Sequence, residues 1–161
     1  MTSQEETTDV CCPKFDPIPW DDKTFEMENK KFIKEHVFTL FYMPVNFGAV
    51  MKRLYKRFTS AGEKMPDTLC LSDHTSLWNM DIYLPVEKEI PDIENTKLTG
   101  KFYSKVFEGP YKDSGKWMKE MEGIMKSKGM TSMKNYVWYT TCPKCAKKYG
   151  KNYVAMINQI G

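Results

Sequence analysis

The side chains best equipped for chemistry in this 161-residue chain are its cysteines, and four of the five fall into two matching motifs. Cys142 and Cys145 form a Cys-x-x-Cys within "TCPKCAKKYG", and Cys11 and Cys12 open "CCPKFDP", where Cys12-Pro-Lys repeats the order Cys142-Pro-Lys. A Cys-x-x-Cys can hold a metal, cycle as a redox pair, or punctuate a hairpin. The redox reading needs the motif at a helix N-terminus after a strand, where the dipole lowers a thiol pKa. Here Gly150 arrives within about a turn and a half of helix after Cys145, so that dipole would be weak. Zinc takes four soft ligands in a tetrahedron; Cys142 and Cys145 supply two, and Cys11 and Cys12 could supply the others, although successive side chains of an extended chain point apart. Such a zinc would be structural, since four thiolates leave no position for water, and it would clip the N-terminal segment to a hairpin tip. No cofactor is otherwise required.

Two carboxylates are candidates for acid–base work. Asp81 lies between Met80 and Ile82 in an apolar stretch, on the same face of a strand as Tyr83. If that face is buried, the carboxylate needs a partner or a raised pKa, and either state could orient a ligand or act as an acid; if it is solvated, Asp81 is an ordinary polar strand residue. Glu108, before Gly109-Pro110-Tyr111, is a second candidate acid or base, or else a solvated strand end. Asp73-His74 in "SDHTSLW" has the composition of half a dyad, but sequence neighbours rarely face each other, and there is no Gly-x-Ser-x-Gly elbow to supply a nucleophile. Tyr42, Trp78, Tyr83, Phe102, Trp138 and Tyr153 come from predicted strands and could together wall a pocket for a flat apolar ligand, with Met121 and Met125 as adaptable filler.

The elements that must position these residues recur. "HVFTLFYMP" reads as a strand, and "NFGAVMKRLYKRFTSAG" as an amphipathic helix with Phe47, Val50, Met51, Leu54 and Phe58 on one stripe and Gly62 at its end. "TLCLSD" and "NMDIYLPV" then read as a hairpin. The same order returns: "KFYSKVFEGP" as strand, "SGKWMKEMEGIMKSKG" as helix ending at Gly129, then "YVWYTT" and "NYVAMINQI" as strands, with the Cys-x-x-Cys in an enlarged tip. This is an internal β-α-β-β duplication. It predicts an α+β fold in which the duplicated repeats form an antiparallel sheet with two helices on one side and a central cleft between them. Residues 1–23 read as a disordered or extended lead-in that Phe15, Ile18 and Trp20 could pin to a surface, and residues 24–161 as a single domain, with repeats of about 24–90 and 91–161.

Composition narrows the function. Hydrophobic residues make up 41% and charged ones 28%, as in soluble globular proteins. The net charge of +3 is spread rather than striped, so no nucleic-acid partner is expected. No apolar run is long enough for a bilayer, and "MTSQEETTDV" lacks the basic and apolar regions of a signal peptide, so a cytoplasmic protein with no membrane partner is expected.

"NMDIYLPVEKEIP" followed by "GKFYSKVFEGPYKDSGKWMKEMEGIMKSKG" resembles the GyrI-like small-molecule-binding family, through Tyr83-Leu84-Pro85-Val86 and Gly109-Pro110-Tyr111 in their order within the duplicated frame. The resemblance covers residues 24–160. It implies a duplicated antiparallel sheet with a central ligand cleft, serving as a sensor domain, a stand-alone binding protein, or a hydrolase of strained electrophilic natural products. The "CCPKFDP" start and "CPKCAKKYG" insertion are similar to a stand-alone subgroup often labelled hydrolase; without a helix-turn-helix pattern a regulator is disfavoured, and His36 and His74 lie in no haem motif. The family's cleft acid falls where this chain has Tyr153, which moves the expected anchor to Asp81 in the other repeat. The expected function is therefore binding of a hydrophobic or amphipathic small molecule, with hydrolysis and a zinc-stapled interaction module as alternatives.

Overall fold

In the computed structural model, which describes residues 14–41, 43–66, 68–141 and 143–161, the first strand is far longer than apolar alternation predicts: β1 runs Lys23–Leu40. Its first half is rich in charge, with Glu26, Glu28, Lys30 and Lys31 all exposed, so hydrophobic periodicity registers only the later part, where Phe32, Ile33 and Val37 are buried. The chain divides into two units, Glu26–Lys101 and Phe102–Gly161, the latter with the N-terminal residues up to Phe25.

The Glu26–Lys101 unit holds most of β1, then β2 (Met43–Pro44), α1 (Phe47–Ser60), β3 (Leu71–His74), β4 (Asn79–Pro85) and the first half of β5 (Glu94–Glu108). Its strands are antiparallel in the order β2-β1-β4-β3. Along α1, Val50, Leu54 and Phe58 recur at helical spacing and are buried. Each such side chain contributes roughly 1.5–3 kcal/mol by leaving water. The helix lies on the face that carries Glu35, which pairs with Arg53 at 3.3 Å, and on that face β1 and β4 bury Ile33, Val37, Met80, Ile82 and Leu84. A Schellman turn ends it: Gly62 adopts φ +74° and the Glu63 amide donates back to the Phe58 carbonyl at 2.9 Å.

The Phe102–Gly161 unit repeats the plan. The second half of β5 leads through a 3-10 turn (Tyr111–Asp113) into α2 (Ser114–Ser127), then β6 (Lys134–Tyr139), α3 (Pro143–Tyr149) and β7 (Tyr153–Gln159). The strands lie antiparallel in the order β6-β7-β5. Trp117, Met121 and Met125 of α2 pack on Tyr103, Phe107, Val137, Val154 and Met156. The helix ends as α1 does, with Gly129 at φ +71° and the Met130 amide on the Met125 carbonyl. The architecture is α+β, with two β-α-β-β repeats. The enlarged hairpin tip is the short helix α3. Among the described residues, no helix is long and apolar enough to cross a membrane.

In this second unit, residues 15–25 are docked rather than trailing. Phe15 and Trp20 meet Trp138 edge-on, with centroids 5.2 and 5.1 Å away, and Phe25 stacks on Phe102 at 5.6 Å. Polar contacts fix the register: Tyr103 Oη donates to Asp22 Oδ1 at 2.6 Å, the Val106 amide donates to Asp21 Oδ1, and Lys105 and Lys128 pair with Asp21 and Asp22. The Tyr103 hydrogen bond, followed by that from Lys128, holds the Asp22 carboxyl below its ordinary pKa. Ile18, expected to pin the segment with its neighbours, stays exposed instead.

Candidate functional site

Antiparallel pairing puts directly opposed residues on one face, and alternate residues of each strand join them. On the face of the Glu26–Lys101 unit opposite α1, one row reads His36–Asp81–Asp73 across β1, β4 and β3, and the next reads Lys34–Tyr83–Leu71. Beside them on that face lie Phe38 and Asn79.

These rows assemble a polar cluster. His36 Nδ1 is 2.5 Å from Asp81 Oδ1. Asn79 Nδ2 donates to the same oxygen at 3.0 Å, and Lys34 Nζ stands 3.7 Å from Oδ2. The Asp81 side chain is 9% exposed, whereas that of His36 is 65% exposed. The pair thus has a buried acid and an imidazole reaching solvent. Lys34 also approaches Glu94 at 4.0 Å and lies 5.8 Å from the Tyr83 ring centre. Its ammonium pKa is raised, first by Tyr83, against the opposing cost of burial, and then by Asp81 and Glu94. Asp73 directly opposite Asp81 is a like-charge pairing that sheets ordinarily avoid. His36, Lys34 and Asn79 compensate it.

An apolar shelf adjoins the cluster. Phe38, Phe41 and Trp78 are 52%, 65% and 48% exposed, and the Phe41 and Trp78 rings are 5.4 Å apart. The turn that carries Phe41 is strained: Phe41 has φ +49°, a region costly for a bulky aromatic residue. Backbone and side-chain bonds from β1 hold the β3–β4 loop beside it, with the Thr39 amide on the Trp78 carbonyl at 2.9 Å and Thr39 Oγ1 on that of Leu77.

The residues singled out from sequence fall in different places. Trp78, Asp81 and Tyr83 share this unit, with Asp81 and Tyr83 on one face and Tyr83 buried. Phe102, Trp138 and Tyr153 belong to the other unit, where Phe102 and Trp138 are buried under rings of residues 15–25 and Tyr153 lies 5.7 Å from Phe15. Glu108, at the end of β5 opposite Tyr153, is exposed. Tyr42, Cys11, Cys12 and Cys142 lie outside the described residues, and Cys145 is buried in α3. Among the described residues, no group of three or more His, Cys, Asp or Glu side chains is arranged to hold a metal. Asp73 and His74 are adjacent strand residues, which alternation sets on opposite faces; burial holds the half-buried His74 below its ordinary pKa, against the opposing charge of Asp73.

His36 is the residue that sequence reasoning missed. It stands 45 positions from Asp81, and only the β1–β4 register joins them. The available signal was that a histidine in a predicted strand and an aspartate in an apolar strand of the same repeat are a pairing to test.

Two solved structures, each of a hydrolase from Listeria innocua, superpose with a TM-score of 0.59 over 99% of this chain and 98% of theirs, at 11% identity. At that identity the likeness is one of fold. None of the curated proteins matches the sequence. The sequence pattern of the family described as bacterial hydrolase matches residues 1–160, and the chain belongs to that family.

Proposed function

We propose that the chain hydrolyses a small hydrophobic or amphipathic electrophile on the helix-free face of its Glu26–Lys101 unit. The observation that carries the reading is the buried Asp81 carboxylate against Nδ1 of a solvent-facing His36. Asp81 accepts the Nδ1 proton and fixes the tautomer whose Nε2 lone pair points away from the carboxylate. Nε2 takes a proton from water as the water oxygen bonds to the electrophilic carbon. The same proton passes to the leaving group as its bond to that carbon breaks. Asn79 and the Lys34 ammonium hold the carboxylate in its orientation. Phe38, Phe41 and Trp78 offer the apolar part of the substrate a surface already ordered by the turn.

The family description supports the hydrolytic reading, and the duplicated frame supports its GyrI-like colouring. Turnover of p-nitrophenyl butyrate by wild type and His36→Gln tests it. A loss of about 100-fold or more in kcat/KM is expected, and equal rates would overturn it. Binding without turnover is the second reading, favoured by the exposed rings themselves: Trp78→Ala would then weaken ligand binding while His36→Gln leaves it unchanged.

The zinc staple is a separate proposal that rests on the two Cys-Pro-Lys motifs of the sequence, with Cys11, Cys12 and Cys142 outside the described residues and Cys145 buried. Metal analysis of the purified protein and of Cys142→Ser decides it, a metal-free wild type being the contrary result.

A further inference from the structure

The Phe102–Gly161 unit contains a pocket that the proposed reaction does not use. It has a volume of about 420 Å³ and lies between the docked N-terminal segment and the hairpin tip that carries α3. That volume is typical of sites for small molecules. Phe15, Tyr149 and Tyr153 give it aromatic walls, and Lys14 and Lys151 line it together with the buried Thr141. Phe15 is held in place by its contacts with Trp138 and Tyr153, so this wall is formed before any ligand arrives.

Charge decides what the pocket suits. Among the described residues of the tip, Lys147, Lys148 and Lys151 are cationic and none is acidic, so the tip presents a positive potential. Asp16 also lines the pocket, its Oδ1 accepting the Ile18 amide at 3.1 Å, and its charge set against those of Lys14 and Lys151 leaves the lining with one net positive charge. Rings on the walls with two ammonium groups at the edge match a flat ligand with a single negative charge: burial and offset stacking hold the ring, and charge-assisted hydrogen bonds hold the anion.

We propose that this pocket binds a planar aromatic monoanion of the aryl carboxylate type, with its ring against Phe15, Tyr149 and Tyr153 and its carboxylate toward Lys14 and Lys151. The site is distinct from the His36–Asp81 cluster, and binding there needs neither residue.

The test uses 2-naphthoate and its uncharged counterpart 2-naphthamide, titrated into the full chain by calorimetry, with amide chemical shifts to locate the bound probe. The expected result is that naphthoate binds about ten-fold or more tightly than the amide, a difference of about 1.4 kcal/mol, and shifts the amides of Thr141 and Tyr153. Reversing both cations in Lys14→Glu with Lys151→Glu removes the preference, while the melting temperature shows that this surface double variant remains folded. Tyr153→Ala weakens both probes. Equal affinities for the two probes, a preference that survives the double reversal, or shifts confined to Phe38, Phe41 and Trp78 would each overturn the proposal.

Discussion

The two repeats can be compared position by position, because β4 and β7 are both seven residues long with the same sequence of exposure, and each is the centre of its antiparallel trio. Facing the helices they agree: both bury aliphatic, aromatic and Met side chains. On the other face they diverge. Where the first repeat has His36–Asp81–Asp73, the second has Val106–Ala155–Trp138, and where the first has Lys34–Tyr83–Leu71, the second has Ser104–Ile157–Tyr136. The second repeat closes this face with Phe15, Trp20 and Phe25 from its own N-terminal segment. The first leaves an imidazole at the surface over a buried carboxylate. Packing against the helix is common to both copies, so the opposite face is where the copies can specialise, one for stability and one for chemistry.

The largest effect should come from forcing the second repeat to resemble the first. Ala155 is fully buried and sits at the register of Asp81, but Val106 and Trp138 replace the histidine and aspartate flanking it. Ala155→Asp therefore buries an unpaired charge and should destabilise by roughly 3–5 kcal/mol in urea unfolding. Trp138→Ala comes next, at about 3 kcal/mol, because it removes the partner of Phe15 and Trp20 and leaves a cavity. Trp78→Ala in the other repeat, at an exposed site, should stay within about 0.5 kcal/mol. Equal losses for the two tryptophans would erase the proposed division of labour.

Ser104 sharpens the comparison in the opposite direction. It occupies the register of Lys34, is fully buried, and its Oγ has no hydrogen-bond partner among the described residues. Ser104→Ala should raise stability by about 1 kcal/mol. The smallest effect concerns pH. Both histidines belong to the first repeat, and burial lowers the His74 pKa below its ordinary 6.5. The unfolded chain then takes up the proton more readily than the folded one, so the His74 contribution to stability is complete above pH 6.5 and declines as pH falls from there toward the lowered value. Urea midpoints between pH 7.5 and 5.5 should fall less in His74→Gln than in wild type.

Much of the frame was legible in the sequence because it rests on local rules. The stripes of Val50, Leu54 and Phe58 and of Trp117, Met121 and Met125, each closed by a glycine, specify two helices, and the repeated order around them specifies the duplication. The first half of β1 was hidden because its charged residues carry little periodic signal. The pairing of His36 with Asp81 was hidden for another reason: it depends on strand register, which local pattern does not give. The docking of Phe15 and Trp20 is foreshadowed by their being large apolar residues in a Pro-rich segment, but from sequence their partner Trp138 reads equally well as part of a ligand wall. Aromatic composition announces burial without saying whether a ligand or the chain itself supplies the covering ring.

A double-mutant cycle on His36→Gln and Asp81→Asn, read as kcat/KM for p-nitrophenyl butyrate, tests the central claim most directly. If the two side chains act as one unit, each single change lowers the rate by about 100-fold or more and the double variant is little worse than either. Rates unchanged from wild type, or losses that simply multiply, would contradict a catalytic His36–Asp81 pair.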